Sequence, residues 1–385
     1  MNKFIKLAAM AVMAVAVLPS CSDDKNDTPD VPQSAKEIAL SKATSEYVKN
    51  TVLPTYKSMA DAAIEMADLC TAMKDKHVAG TLTSDDIKAA GDAWKESRKY
   101  WELSEAFLFG PAANHNIDPH IDSWPLDKAA MDQLLGQIRN GASWTAENLG
   151  YGLLGFHSVE YMLYELSADG NTSLTHSTGY TDEELEYLTG VADDLRDQCV
   201  LLEACWAGSD NISARKLEIL EDAELGYGED YGREMTNAGA AGSRFKTFQE
   251  TAEEIIQGCI DIADEVGNTK IGRPNKGSSL EDRNYIESPY SLNSIEDFAY
   301  NIRSIRNSYI GTSASSPSIS DYVKSVNPTL DTELRTAIDN AITAINAIPE
   351  PFAKNATGAE ATKAVEVVND LVSALEKTYQ ALGNN

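Results

Sequence analysis

Apolar residues recur every three to four positions along almost the whole chain, and alternating β-branched runs bounded by turns are nearly absent. That period places apolar side chains on one face of a helix, so helices must bury their faces against other helices. The pattern predicts a long helix over 36–77, with Pro54 as a kink or break. A second runs from a cap at Thr83 or Ser84 to Phe109, where Gly110-Pro111 stops it. A loop rich in His, Asn and Asp spans 112–125, and helices follow over 127–139 and 146–166. Thr181 with Glu184 forms a capping box for a helix reaching Ala207. Further helices are expected over 213–225, 241–267, 291–310, 319–347 and 356–382. The expected fold is all-α, two helical-bundle domains packed together, over 36–212 and 213–385. The Gly-rich stretch 226–242 is a candidate connection. Residues 268–290, broken by Gly272, Pro274, Gly277 and Pro289, read as a solvated loop carrying Arg273, Lys276 and Arg283.

The N-terminus reads as an export signal over 1–20. Lys3 and Lys6 precede an apolar run from Leu7 to Leu18, too short for the ~20 residues that span a bilayer. Leu18-Pro19-Ser20-Cys21 resembles a bacterial lipobox, which implies lipidation of Cys21. Ser22, Asp23 and Asp24 resemble an acidic surface-export signal, and 21–35 is expected to be a flexible tether. These features imply an outer-membrane lipoprotein of the cell envelope, periplasm-facing or surface-exposed, held to the membrane by its lipid.

The formal charge of −28 repels phosphate backbones, so nucleic acid is excluded as a partner, while cations are drawn to the surface. With Cys21 lipidated, Cys70, Cys199, Cys205 and Cys259 remain, and no CxxC pair marks a zinc or redox site. They read as buried free thiols.

The segment GYGLLGFHSVEYMLYE, 150–165, carries the chemistry. His157 and Glu160 are i and i+3 on one helical face, and Tyr161 and Tyr164 at i+4 and i+7 from His157 share that face. Imidazole and carboxylate are ordinary metal ligands, but the same pair can be a buried ion pair. On the preceding helix Trp94, Arg98, Trp101 and Glu105 form one stripe, in which Arg98 and Glu105 stand out among apolar neighbours.

Gly155-Phe156-His157-Ser158-Val159-Glu160 resembles the GxHxxE signature of the imelysin-like family. Three further stretches, in the family's order, are similar to its conserved blocks: Trp94 and Arg98 leading to Ser104–Phe107 and Phe109–Pro111; Asp122–Asp127; and Glu287–Ser291 with Asp297, Phe298, Asn301 and Asn307–Gly311. The resemblance implies an exported, all-helical protein, classed with metallopeptidases and tied to bacterial iron uptake. It implies a site at the interface of the two domains, with His157 and Glu160 as metal ligands supported by Arg98, Glu105, Trp124, Ser288 and Ser291. Tyr161 and Tyr164 join the supporting set from their spacing alone.

Three functions follow. The first is non-catalytic binding of iron, zinc or a metal chelate, working with envelope transport components. The second is a metallopeptidase, although neither HExxH nor HxxEH is present to supply ligands and a general base together. The third is a surface interaction module in which a His–Glu–Arg network is purely structural.

Overall fold

The computed structural model describes residues 34–384; the expected signal, the expected lipidation site Cys21 and most of the expected tether lie outside them. The fold is all-α. Its principal helices are α1 (Ala35–Tyr47), α2 (Leu53–Val78), α3 (Ser84–Glu102), α4 (Lys128–Arg139), α5 (Gly155–Leu163), α6 (Asp182–Ala207), α7 (Phe248–Asp264), α8 (Ser294–Ile310), α9 (Pro328–Asn346) and α10 (Ala359–Asn384). A short antiparallel hairpin, β1 (Tyr164–Leu166) and β2 (Ser173–Thr175), follows α5. No helix among the described residues is long and apolar enough to cross a membrane.

Local chemistry sets the helix ends. Thr83 accepts from the Asp86 N–H while Asp86 accepts from the Thr83 N–H, and Thr181 and Glu184 do the same at α6. Each box satisfies two amides that the helix itself cannot. Pro54 does not end the first long helix. A π-helical turn, Val48–Val52, widens the ladder just before it. Proline lacks the N–H that would bond the carbonyl four residues back, at Asn50; that carbonyl instead accepts from the Thr312 hydroxyl at 2.9 Å.

α2, α3 and α6 pack side by side, with α5 across α3 and α6. The later helices α7, α8, α9 and α10 pack together, and α1 crosses to lie on α7. One continuous apolar core runs through both groups, from Leu40 to Leu382. They meet where α3 touches α8 and where the 3₁₀ turn Glu105–Phe107 lies on α7. The approach is close: a Cβ on Gly258 would stand 2.3 Å from the Ala106 carbonyl oxygen.

Several expectations need correction. α3 stops at Glu102, so Glu105 lies in the 3₁₀ turn beyond it. The stretch 112–125 is not loop throughout: Pro111–Asn114 and Ile117–Ile121 are short helices, with Ile117 and Ile121 buried. The helix expected over 146–166 is only α5, and Tyr164 is the first residue of β1. The helix expected over 319–347 breaks at Asn327, where Pro328 starts α9. Residues 268–290 are a solvated loop only in their middle. A π-helical turn, Glu265–Lys270, and the short helix Gly272–Lys276 fold the start of that segment against the core, and Ile286–Ser288 are buried at its end, while the short helix Leu280–Arg283 between them stays on the surface.

Candidate functional site

Arg98 is the centre of the buried junction. It lies on α3 and is wholly shielded from solvent. Its Nη2 lies 2.5 Å from Glu102 Oε1, one turn on, and 2.6 Å from Glu287 Oε1. Its Nη1 donates to Asp122 Oδ1, and its Nε lies 3.6 Å from Asp297 Oδ2, too far for a hydrogen bond. Burial opposes the guanidinium's charge, but Asp122, Glu102, Asp297 and Glu287 outweigh it and hold the group protonated.

Lys270 is the second buried cation. Its Nζ lies 3.0 Å from Glu287 Oε1, 3.2 Å from Glu105 Oε1 and 3.7 Å from Glu102 Oε2, and sits 5.2 Å from the centre of the Trp124 ring. The π-helical turn delivers this side chain inward. Smaller donors complete the cluster. Trp101 Nε1 donates to Asp122 Oδ2 at 2.7 Å, and Asn301 Nδ2 to Glu102 Oε2 at 2.5 Å. Ser288 Oγ donates to Asp297 Oδ2 at 2.6 Å.

His157 and Glu160 stand beside this cluster on α5, one turn apart. Gly155 starts the helix at φ +73°, and a Cβ there would lie 2.0 Å from the Ile121 carbonyl oxygen. Only glycine lets α5 approach the Ile117–Ile121 turn this closely, and that approach sets Asp122 against His157. His157 Nε2 is 3.1 Å from Asp122 Oδ1, yet the N–H direction misses that oxygen, so the contact is an ion pair without an aligned hydrogen bond. His157 Nδ1 is 3.4 Å from Glu160 Oε2. Glu160 Oε1 accepts from the backbone N–H of Tyr290 at 2.9 Å, and from the N–H and hydroxyl of Ser291, each at 2.7 Å.

The electrostatics are lopsided. Glu102, Glu105, Asp122, Glu160, Glu287 and Asp297 are all buried, against the fixed cations Arg98 and Lys270. Burial raises Glu102 and Glu105 well above the usual carboxylate range, more than Arg98 and Lys270 can offset. Burial also raises Asp297, to about 6, against Arg98. Asp122 differs: burial pushes it up, but Arg98 and then His157 hold it below the ordinary range. For His157 burial disfavours the charged ring, and the Asp122 and Glu160 contacts overcome this and raise it to about 9.

Above His157 lies a cleft of about 390 Å³, bounded by Trp124, Leu126, Glu160, Arg283, Ile286 and Tyr290 among others. The Trp124 and His157 rings are 6.0 Å apart. Of the residues singled out from sequence, Arg98, Glu105, Trp124, His157, Glu160, Ser288 and Ser291 converge here. Tyr161 lies at the edge, its ring 4.9 Å from Tyr290 and its hydroxyl bonded to Lys128. Tyr164 is not brought in, because α5 ends before it; its hydroxyl donates to the Gly91 carbonyl at 2.6 Å. Sequence reasoning gave no role to Glu102, Asp122, Lys270, Glu287 or Asp297. Asp122, His157 and Glu287 can each offer a ligand atom within 4.8 Å of the others, and so can Glu102, Glu105 and Asp122.

An all-helical fold with a buried, acid-rich charge cluster beneath a cleft defines the class. The chain belongs to the imelysin family: the peptidase M75 family model, described as imelysin, matches residues 52–378. It is similar to iron-regulated protein A of Synechococcus elongatus, at 25% identity over 87% of this chain and 83% of that protein. It is also similar to a crystal structure described as an iron-regulated protein A precursor from Parabacteroides distasonis. That match has a TM-score of 0.75 and 27% identity, covering 91% of this chain and 96% of the other. An imelysin-like protein from Psychrobacter arcticum shares the fold, with a TM-score of 0.64 at 15% identity over 91% and 97% of the two chains.

Proposed function

We propose that this protein is a lipid-anchored envelope protein that binds iron, as the metal or its chelate, and serves iron uptake without catalysing a reaction. The observation that carries this reading is the donor set Asp122, His157 and Glu287 inside a cluster whose carboxylates outnumber its fixed cations. A bound cation relieves that imbalance better than protons alone. Imidazole and carboxylates suit iron and also zinc. Glu287 Oε2 and His157 Nε2, both buried without an aligned hydrogen bond, fit the role of ligand atoms once a metal displaces the ring proton that Asp122 and Glu160 favour. Glu160 would steady the set, since its Oε1 is committed to the Tyr290–Ser291 turn and only Oε2 faces His157. The similarity to proteins named for iron regulation supports the choice of iron.

Peptidase chemistry is disfavoured by the same bonds. A general base must be free to take a proton from water. Both oxygens of Asp122 are held, by Arg98 and Trp101, while Glu287 and Glu160 each commit one oxygen, to Arg98 with Lys270 and to the Tyr290–Ser291 turn. The test is elemental analysis with iron titration of the purified protein and of His157→Ala. Near-stoichiometric metal in the first and its loss in the second are expected. Equal metal content in both would sink the reading and leave the cluster a structural network.

A further inference from the structure

We infer that the cleft above His157 takes its metal already wrapped in a flat, aromatic, anionic organic chelator rather than as a bare ion. This rests on the metal-binding reading above and goes further in naming what is carried.

Size is the first argument. A bare ion needs only its donors, whereas the cleft has about 390 Å³, within the range of small-molecule sites. The walls are the second. Trp124 and Tyr290 face the space along with Pro125, Leu126, Ile286 and Pro289. Both rings are braced from outside: Trp124 by Tyr285 at 5.3 Å, and Tyr290 by Tyr161 at 4.9 Å. Rigid aromatic walls favour a flat ring that can stack on them. The Trp124 indole N–H is buried without an acceptor, and an oxygen on a bound ligand would satisfy it.

Charge is the third. Among the described residues, Arg283 is the one charged side chain on the wall besides Glu160 and His157. Its Nη1 donates to the Gly277 carbonyl at 2.7 Å, and no carboxylate pairs with it. A guanidinium carries five donors, so most remain for an anionic ligand. Glu160 adds little repulsion, because its Oε1 already receives three hydrogen bonds. A second cleft, of about 370 Å³, gives the contrast. It is lined by Glu105, Asp118, Glu254, Asp261 and Glu265 and by no basic residue. Every charged side chain of that second cleft is acidic, whereas the cleft at His157 carries an arginine on its wall.

Calorimetry with the whole mature chain tests this. The probes are ferrous ammonium sulfate under argon, ferric citrate, and the ferric complex of 2,3-dihydroxybenzoate. The aromatic complex is expected to bind at least about tenfold tighter than the other two, and Arg283→Ala to weaken it about tenfold. Arg283 is exposed, so an unchanged melting temperature would confirm that the variant folds. Free ferrous ion binding as tightly as the aromatic complex, or no effect of Arg283→Ala, overturns the inference and leaves metal binding standing. If no iron species binds, both readings fail.

Discussion

Glu160 and Ser291 are joined twice: one carboxylate oxygen accepts both the backbone N–H and the hydroxyl of Ser291, each at 2.7 Å, across 131 positions of chain. The same oxygen holds the Tyr290 N–H. Removing it orphans two amides at a buried turn, each costing about 1–3 kcal/mol. Glu160→Ala is therefore expected to destabilise the protein by about 3 kcal/mol, and Glu160→Gln, which keeps an acceptor, by about 1 kcal/mol. Urea unfolding measures both. Equal losses would show that charge, and not the acceptor, holds the turn.

Arg98→Met should be among the most damaging single changes in the chain. It leaves Glu102, Asp122 and Glu287 buried with one fewer cation, which costs about 3–5 kcal/mol. Arg98→Lys is expected to recover only part of that, since one ammonium cannot reach three carboxylates as the planar fork does. Chemical denaturation at neutral pH separates the two variants. A loss under about 1 kcal/mol in Arg98→Met would contradict the central role given to the guanidinium.

At Gly155 the backbone is left-handed and the Ile121 carbonyl is 2.0 Å from any added Cβ. Gly155→Ala is expected to cost more than ~2 kcal/mol from conformation and overlap together. It should also shift the start of α5 and draw His157 away from Asp122. Thermal melting reads the first effect, and the histidine ring signals in an NMR spectrum the second.

How far the sequence could be read follows from how local each signal is. The caps at Thr83 and Thr181 were legible because both partners of each box lie within three residues. The end of α5 was not. It is set by pairing of Tyr164 with Thr175, a contact the helical period does not encode, and so Tyr164 was placed on the wrong element. Arg98, His157, Glu160, Ser288 and Ser291 stood out through motif and spacing. Glu287 and Asp297 lay in a recognised block without an assigned role, and only the fold shows that they face Arg98. Lys270 carried no signal, because its meaning depends on carboxylates that are distant in sequence and on a π-helical turn no propensity announces. The Arg98–Glu102 spacing of one helical turn was the available clue to Glu102.

Asp197 supplies a pH test away from the cluster. Burial raises its carboxyl to about 6 despite the Arg196 contact that opposes it. A carboxyl raised above its unfolded value binds a proton more tightly when folded. Its contribution is therefore complete below about pH 4 and is lost as pH rises through about 6. Asp197→Asn is expected to lose less stability than the parent between pH 4.5 and 7.5. Parallel denaturation curves for the two proteins at both pH values would refute this.

The reach of Arg98 also fixes when the protein can be finished. Its partner Glu287 follows 189 positions later. Without Glu287, Arg98, Glu102 and Asp122 lack the carboxylate that the second half brings to them. The junction is therefore closed by residues from both halves of the chain and by neither half alone.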